Sequence, residues 1–298
     1  MVEKWLKVYA PNLELEVLDA EGDSQKQLQQ IEGALNKGGD FIIYTAADMN
    51  QASGVLQLLN QEEMPFCALS HTPFGGECPI MVTMPFPAIA QSYIEYMEEE
   101  ILPNADDVVK VACIWGAPGA PFYEQLKDTY HETFDKWVDE GKIEIVFEAD
   151  TNDWTANSSA PVAEQMLTQT QNDVDVIVSQ NDDLITGIVS ALVQQDMVDD
   201  VQILGGCDAT NEGLARVQEG WQAADVLPNY NIQAKAVAQI VAKWLRDGEC
   251  PINMANGVED NDTENGIPLV VVDPVMVTAD NLKEECIDSG VTTQEAID

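Results

Sequence analysis

Short apolar runs alternate with longer amphipathic stretches along almost the whole chain, and few folds accommodate that rhythm. Strands are predicted over residues 15–19, 41–44, 65–69, 80–83, 110–115, 143–147, 174–179, 201–207 and 223–227. Helical spacing fills the intervals at 24–36, 48–61, 86–100, 121–139, 160–170, 182–195, 211–219 and 231–246. Runs such as Val111-Ala112-Cys113-Ile114-Trp115 and Val174-Asp175-Val176-Ile177-Val178 are nearly continuous in apolar residues. Strands read that way when helices cover both faces of a sheet. The alternation therefore predicts parallel sheets joined by right-handed helical crossovers.

The rhythm restarts once, after Leu102-Pro103-Asn104-Ala105-Asp106-Asp107. A chain of 298 residues is long enough for two cores. The reading is α/β, with two doubly wound parallel-sheet lobes. The first lobe takes residues 1–105 plus 229–268, and the second takes 106–228 plus 269–298. Three crossovers are expected near 104–108, 226–230 and 269–273, the last on the extended run 269–277. Residues 1–9 read as the end of a helix, although a doubly wound lobe ordinarily opens on a strand. The first strand of the first lobe is thus expected to be missing from this chain, leaving an open sheet edge beside 15–19.

Charge narrows the partners. There are 53 acidic residues against 13 basic ones, a net charge of -40. Nucleic acid is bound by cations that displace its counterions, so that partner is excluded, and an anionic membrane surface is disfavoured for the same reason. An acidic coat keeps a protein soluble, and it can also attract a cationic ligand. No apolar run reaches the roughly 18 residues needed to cross a bilayer. The opening Met1-Val2-Glu3-Lys4-Trp5 has no apolar core of a secretory signal.

The chemistry-bearing residues are sparse. The six cysteines Cys67, Cys78, Cys113, Cys207, Cys250 and Cys286 form no CxxC pair and no metal-spaced cluster. Cys67 and Cys78 flank a turn-rich loop that a local disulfide can close. Asp260, Asp262 and Glu264 alternate as carboxylates, but without the full calcium-loop pattern, so they read as a solvated loop. His71 and His131 are the only histidines. There is no nucleophile elbow, P-loop or dinucleotide turn. The expectation is a protein that binds and does not catalyse, with no cofactor and no metal.

Five segments in order carry a resemblance. They are Asp19-Ala20-Glu21-Gly22-Asp23, Asp153-Trp154, Ser179-Gln180-Asn181-Asp182-Asp183, Gly205-Gly206-Cys207-Asp208-Ala209-Thr210, and the tail from Asp273-Pro274 to Asp280-Asn281. At this spacing the chain resembles the type I periplasmic binding proteins, whose fold is shared with the ligand domains of lactose-repressor-like regulators. The resemblance implies two lobes that bend about a hinge onto a small solute and a membrane permease as partner. It implies a monomer working in the periplasm or outside the cell, with a lipid anchor as one means of retention. A sensing module of a chemoreceptor or two-component system, or a regulator's effector domain, uses the same fold. A regulator would need an amino-terminal DNA-binding segment and basic residues, and neither is visible.

Ligand contacts in open parallel sheets come from loops at the carboxyl ends of strands. Trp154 there offers a flat apolar face to a sugar ring or a cation. Asn181 both donates and accepts, which suits hydroxyls, although it also suits a helix cap. Asp208 can accept two hydroxyl bonds or pair with an amine. Phe122, Tyr123, Asn229 and Tyr230 are further candidates for the walls. Ser70 and His71 stand where many sugar binders of the family carry an Asp-Arg pair, and Glu124 stands where they often carry a second Arg. Without those guanidinium forks, the expected solute is an uncharged sugar, polyol or sugar derivative, or an amine-bearing one. A phosphorylated or carboxylated solute is not expected.

Overall fold

Alternation of apolar side chains builds the first sheet. In β2 (Phe66–Leu69), Phe66 and Ala68 face one side and Cys67 the other. In β3 (Met81–Thr83), Met81 and Val82 divide likewise. One face packs with Ile31, Leu56 and Leu59, and the opposite face packs with Leu6, Val237 and Ile240. The computed structural model describes residues 1–119 and 121–298, Pro121 by its backbone. It divides into two units. Unit 1 is Met1–Met84 with Asn229–Asp273, and unit 2 is Pro85–Pro228 with Pro274–Asp298.

Unit 1 opens on α1 (Val2–Tyr9), which packs on α9 (Tyr230–Asp247). Its sheet runs β1 (Ile42–Tyr44), β2, β3, β11 (Ile267–Val271), β10 (Gly257–Glu259); only β10 is antiparallel to its neighbour. Asp23 caps α2 (Ser24–Asn36) by accepting the N–H groups of Gln25 and Lys26. Helix α3 (Ser53–Gln61) completes the layer over β1 and β2.

Unit 2 holds the parallel sheet β5 (Ile143–Asp150), β4 (Val109–Trp115), β6 (Val176–Val178), β7 (Gln202–Leu204). Ala112 and Ile114 of β4 face Met166, Ile188 and Leu192, from α6 (Ala156–Thr170) and α7 (Asp182–Gln194). Trp115, at the end of the same strand, stacks near Tyr130 of α5 (Pro121–Asp139). A smaller sheet joins β8 (Gly206–Cys207), β9 (Asp225–Leu227) and β12 (Val275–Val277). Helix α8 (Asn211–Glu219) and the carboxyl-terminal α10 (Gln294–Ile297) pack together there.

The chain passes between units three times, at Met84/Pro85, Pro228/Asn229 and Asp273/Pro274. The run 269–277 is divided between the units, with β11 in unit 1 and β12 in unit 2. The first boundary needs correction, because it falls after Met84 and not at 105/106. Helix α4 (Phe86–Tyr96) belongs to unit 2. Phe86 packs edge-on against Phe122 at 5.1 Å, and the Tyr93 hydroxyl donates to the Gly206 carbonyl at 2.5 Å. The third boundary also moves, from 268/269 to 273/274, because β11 pairs with β3.

Other readings change as well. Residues 201–207 form two strands, broken at Gly205. All six cysteines are free, so Cys67 and Cys78 are unbridged. Burial pushes the Cys78 thiol up to about 12. Among the described residues no helix is long and apolar enough to cross a membrane.

Residues 15–19 are not a strand. They run without a ladder partner among the described residues, and β1 forms the sheet's edge. A strand exists only by pairing, and this segment forms no ladder among the described residues although Leu15 packs on the core of unit 1. Val17 is 80% exposed and Leu18 is 44% exposed. Unpaired extended backbone with apolar side chains recruits other chains. Val17→Lys with Leu18→Lys is expected to lower concentration-dependent light scattering on warming while leaving the melting temperature unchanged. Equal scattering from both proteins would place the association elsewhere.

Candidate ligand-binding surfaces

The strands of unit 2 end in loops that carry most of the candidate residues. Trp154 follows β5, half-buried, with its indole lying over Gly116, where a methyl group would overlap the ring. A side chain at position 116 would have to displace the Trp154 indole. Asp153 fixes the approach to α6. Its Oδ1 accepts from the Thr155 amide at 2.9 Å and hydroxyl at 2.6 Å, which holds its carboxyl below the ordinary range. Phe122 lies 5.3 Å from Trp154 at 60°, and Phe86 stands behind Phe122. The three rings form one aromatic wall. Phe86 is not among the residues expected from sequence, where the restart of the pattern after residue 105 assigns its helix to the first lobe.

Asn181 caps α7, its Oδ1 accepting from the Leu184 amide at 3.0 Å. The cap uses one lone pair and leaves the amide donors to other partners. Gln180, fully buried, accepts from the Gly116 amide at 2.9 Å and donates to the Tyr123 carbonyl at 3.1 Å. It ties the strand-end loops together, a role that only its partners reveal. Asp208 is exposed on the turn after β8, at φ 113°, followed by Ala209 at φ 49°. Thr210 closes that turn, its amide and hydroxyl donating to Asp182 Oδ2 at 2.8 and 2.7 Å.

Tyr123 is placed differently from the other aromatics. It is buried, and its hydroxyl donates to Asp150 Oδ1 at 2.7 Å and accepts from Lys127 Nζ at 3.0 Å. Burial, and then Asp150, pushes the Tyr123 phenol up. Burial alone would lower Lys127, but Tyr123 and Asp150 raise it. Lys127 also reaches Glu148 at 3.3 Å, so its charge is matched within the network. Glu124 is exposed on α5.

In unit 1, Ser70 ends β2 at φ 67°, its amide donating to the Val82 carbonyl at 2.9 Å. His71 is exposed, with Nδ1 2.9 Å from the Ala46 carbonyl. Asn229 opens α9 at φ 56°, its carbonyl accepting from Ile232 and Gln233. Ser70 and Tyr230 come together in a groove of about 210 Å³ with Thr45, Leu69, Ala234 and Val2. Among the described residues no group of three metal-ligating side chains gathers.

Two α/β units linked by three passages of chain, with aromatic and polar side chains at strand ends, have the architecture of a solute-binding protein. The model of the periplasmic binding protein domain matches residues 2–249, and the chain belongs to that family. It is 23% identical over 277 residues to the D-xylose-binding periplasmic protein of Escherichia coli, covering 92% of this chain and 80% of that one. It is 21% identical over 210 residues to the ribose import binding protein of Bacillus subtilis, covering 70% of this chain and 64% of that one. The fold is similar to a solute-binding protein of an ABC transporter from Clostridium phytofermentans, solved with bound beta-D-glucose. The TM-score there is 0.83 at 20% identity, over 100% of this chain and 94% of that one. The family and these relatives are binding proteins, and this chain is a binding protein and not an enzyme.

Proposed function

We propose that the protein is the solute-capturing component of an ATP-driven importer and that its solute is a sugar, polyol or sugar derivative. The observation that carries the reading is the set Trp154, Asn181 and Asp208. They follow β5, β6 and β8 of one unit and combine a flat aromatic face with hydroxyl-binding groups. Ser70, His71, Asn229 and Tyr230 are further solute-contact candidates in unit 1, and Phe122 is one in unit 2. Tyr123 contributes by fixing Phe122 on α5, because its own hydroxyl serves Asp150 and Lys127. Lys127 and the buried Arg216 both sit in internal bonds. With those cations engaged, uncharged or amine-bearing solutes are favoured over phosphorylated or carboxylated ones. The protein works as a monomer outside the cytoplasmic membrane, delivers to a membrane permease and does not bind nucleic acid.

A thermal-shift panel tests this directly, since a ligand that binds only the folded state raises its melting temperature. The panel holds D-xylose, D-ribose, D-glucose, myo-inositol, D-glucosamine and D-glucose 6-phosphate. At a concentration of about 100 Kd the folded state gains about 2.7 kcal/mol. At least one neutral or amino sugar should shift the transition, and the phosphate ester should not. A shift from the phosphate ester alone would overturn the assignment of solute class.

A further inference from the structure

Asp225 opens β9 and Asp182 opens α7, and both side chains are almost wholly buried. Their carboxyl groups lie within hydrogen-bonding reach of each other. They are enclosed between Gly206 and Gly213, where a methyl on either glycine would overlap them. Asp182 Oδ2 is satisfied by Thr210. Asp182 Oδ1 and both oxygens of Asp225 receive no N–H or hydroxyl donor among the described residues. Two carboxylates at this distance out of water cannot both be ionised. One proton between them satisfies the oxygens that face each other.

We propose that Asp225 is a positioning residue: it keeps its proton, donates it to Asp182, and so holds the Thr210 end of the turn that presents Asp208. The proposal rests on the reading of Asp208 as a solute contact. Asp182 is the partner that stays ionised, because it already accepts two bonds from Thr210. Arg216 supplies one positive charge nearby, with Nε on Gln222 at 3.0 Å, Nη1 on Thr186 at 2.8 Å and Nη2 on the Asp182 carbonyl at 3.1 Å. One cation balances one carboxylate, and a second carboxylate would have no counterion. Among the described residues the other ionisable groups that interact with the pair include Asp208, Cys207, Cys286 and Tyr93, with Tyr130 beyond, while Asp183 and Glu212 lie near Arg216. The Asp208 carboxylate favours retention of the proton, and the neutral thiols and phenols supply no counterion. Burial first, and then Asp182, holds the Asp225 carboxyl well above the ordinary range.

The turn needs such a hold, because Asp208 and Ala209 both take left-handed backbone that side chains disfavour. Thr210 is the first residue after them, and its two bonds to Asp182 fix where the turn ends.

Linkage gives the test its sign. An unfolded aspartate loses its proton near pH 4, whereas folded Asp225 keeps it to higher pH. Between those limits the folded state binds one more proton. Its contribution is full below about pH 4 and declines as pH rises. The unfolding constant should grow about tenfold per pH unit from this group until the pair itself titrates. Asp225→Asn preserves shape, donates an N–H to Asp182 and cannot titrate.

Urea unfolding of the full chain from pH 5 upward should show the ratio of wild-type to Asp225→Asn unfolding constants changing by about tenfold per pH unit, until the pair itself titrates. Parallel curves would overturn the proposal. If the variant does not fold, infrared spectroscopy of the wild type at neutral pH decides. A carboxylic-acid carbonyl band buried from exchange supports the shared proton, and its absence refutes it. Affinity for D-xylose or D-glucose, whichever gives the larger thermal shift, should weaken above the pair's titration in the wild type and stay flat in Asp225→Asn. Failure of the Asp208 reading looks different: Asp208→Ala would bind normally while the stability slopes stayed as expected.

Discussion

Asp208→Ala is expected to weaken solute binding by roughly ten- to a hundredfold, the loss of a buried hydrogen bond from a charged group. The carboxylate stands on a short turn whose Thr210 end is held by Asp182, so the melting temperature of this variant is to be measured beside its affinity. On the proposed reading Asp208 would accept two solute hydroxyls in fixed directions, which water can replace only at a cost in orientation. Trp154→Ala should weaken binding as well, through lost stacking worth about 0.5–1.5 kcal/mol beyond the buried area. Gly116 and Phe122 would lose a packing partner in that variant, so its melting temperature must be measured beside its affinity. Calorimetry with the sugar selected by thermal shift gives both constants. Unchanged affinity in both variants would remove these strand ends from the site.

Gly205→Ala should be the most destabilising single methyl in unit 2. Gly205 separates β7 from β8 at φ 97°, backbone that an alanine adopts only under strain. A Cβ there would also overlap the main-chain carbonyl of Ser179, which cannot swing aside because the Ser179 amide is bonded to Leu204 at 3.0 Å. Strain and overpacking each cost about 1–3 kcal/mol. A combined loss near 3 kcal/mol lowers the melting temperature by about 6–12 °C for a domain of this size. Differential scanning calorimetry reads it, and a change under about 2 °C would mean that the loop relaxes freely. Solute affinity should fall too, because the turn bearing Asp208 begins at the next strand.

The sequence alone determined the α/β class, the helices and most of the strands, because those depend on local periodicity and on covering both faces of a sheet. It also placed Trp154, Asn181 and Asp208 in the loops beyond strand ends, since each lies a few residues after an apolar run. Tertiary structure decided which unit owns α4. Residues 86–100 read as a helix wherever they pack, and only the contacts of Phe86 and Tyr93 assign them to unit 2. It also decided against a strand at 15–19, because β propensity without a neighbouring ladder does not make a strand. Gln180 looked like a motif letter and proved to be the tie between loops, as its partners lie 57 and 64 residues away in sequence. The Asp182–Asp225 pair lay furthest from view. Its members stand in different elements, β9 and α7, and what gives them their chemistry is burial beside one another, a property of the packed chain that no local pattern encodes.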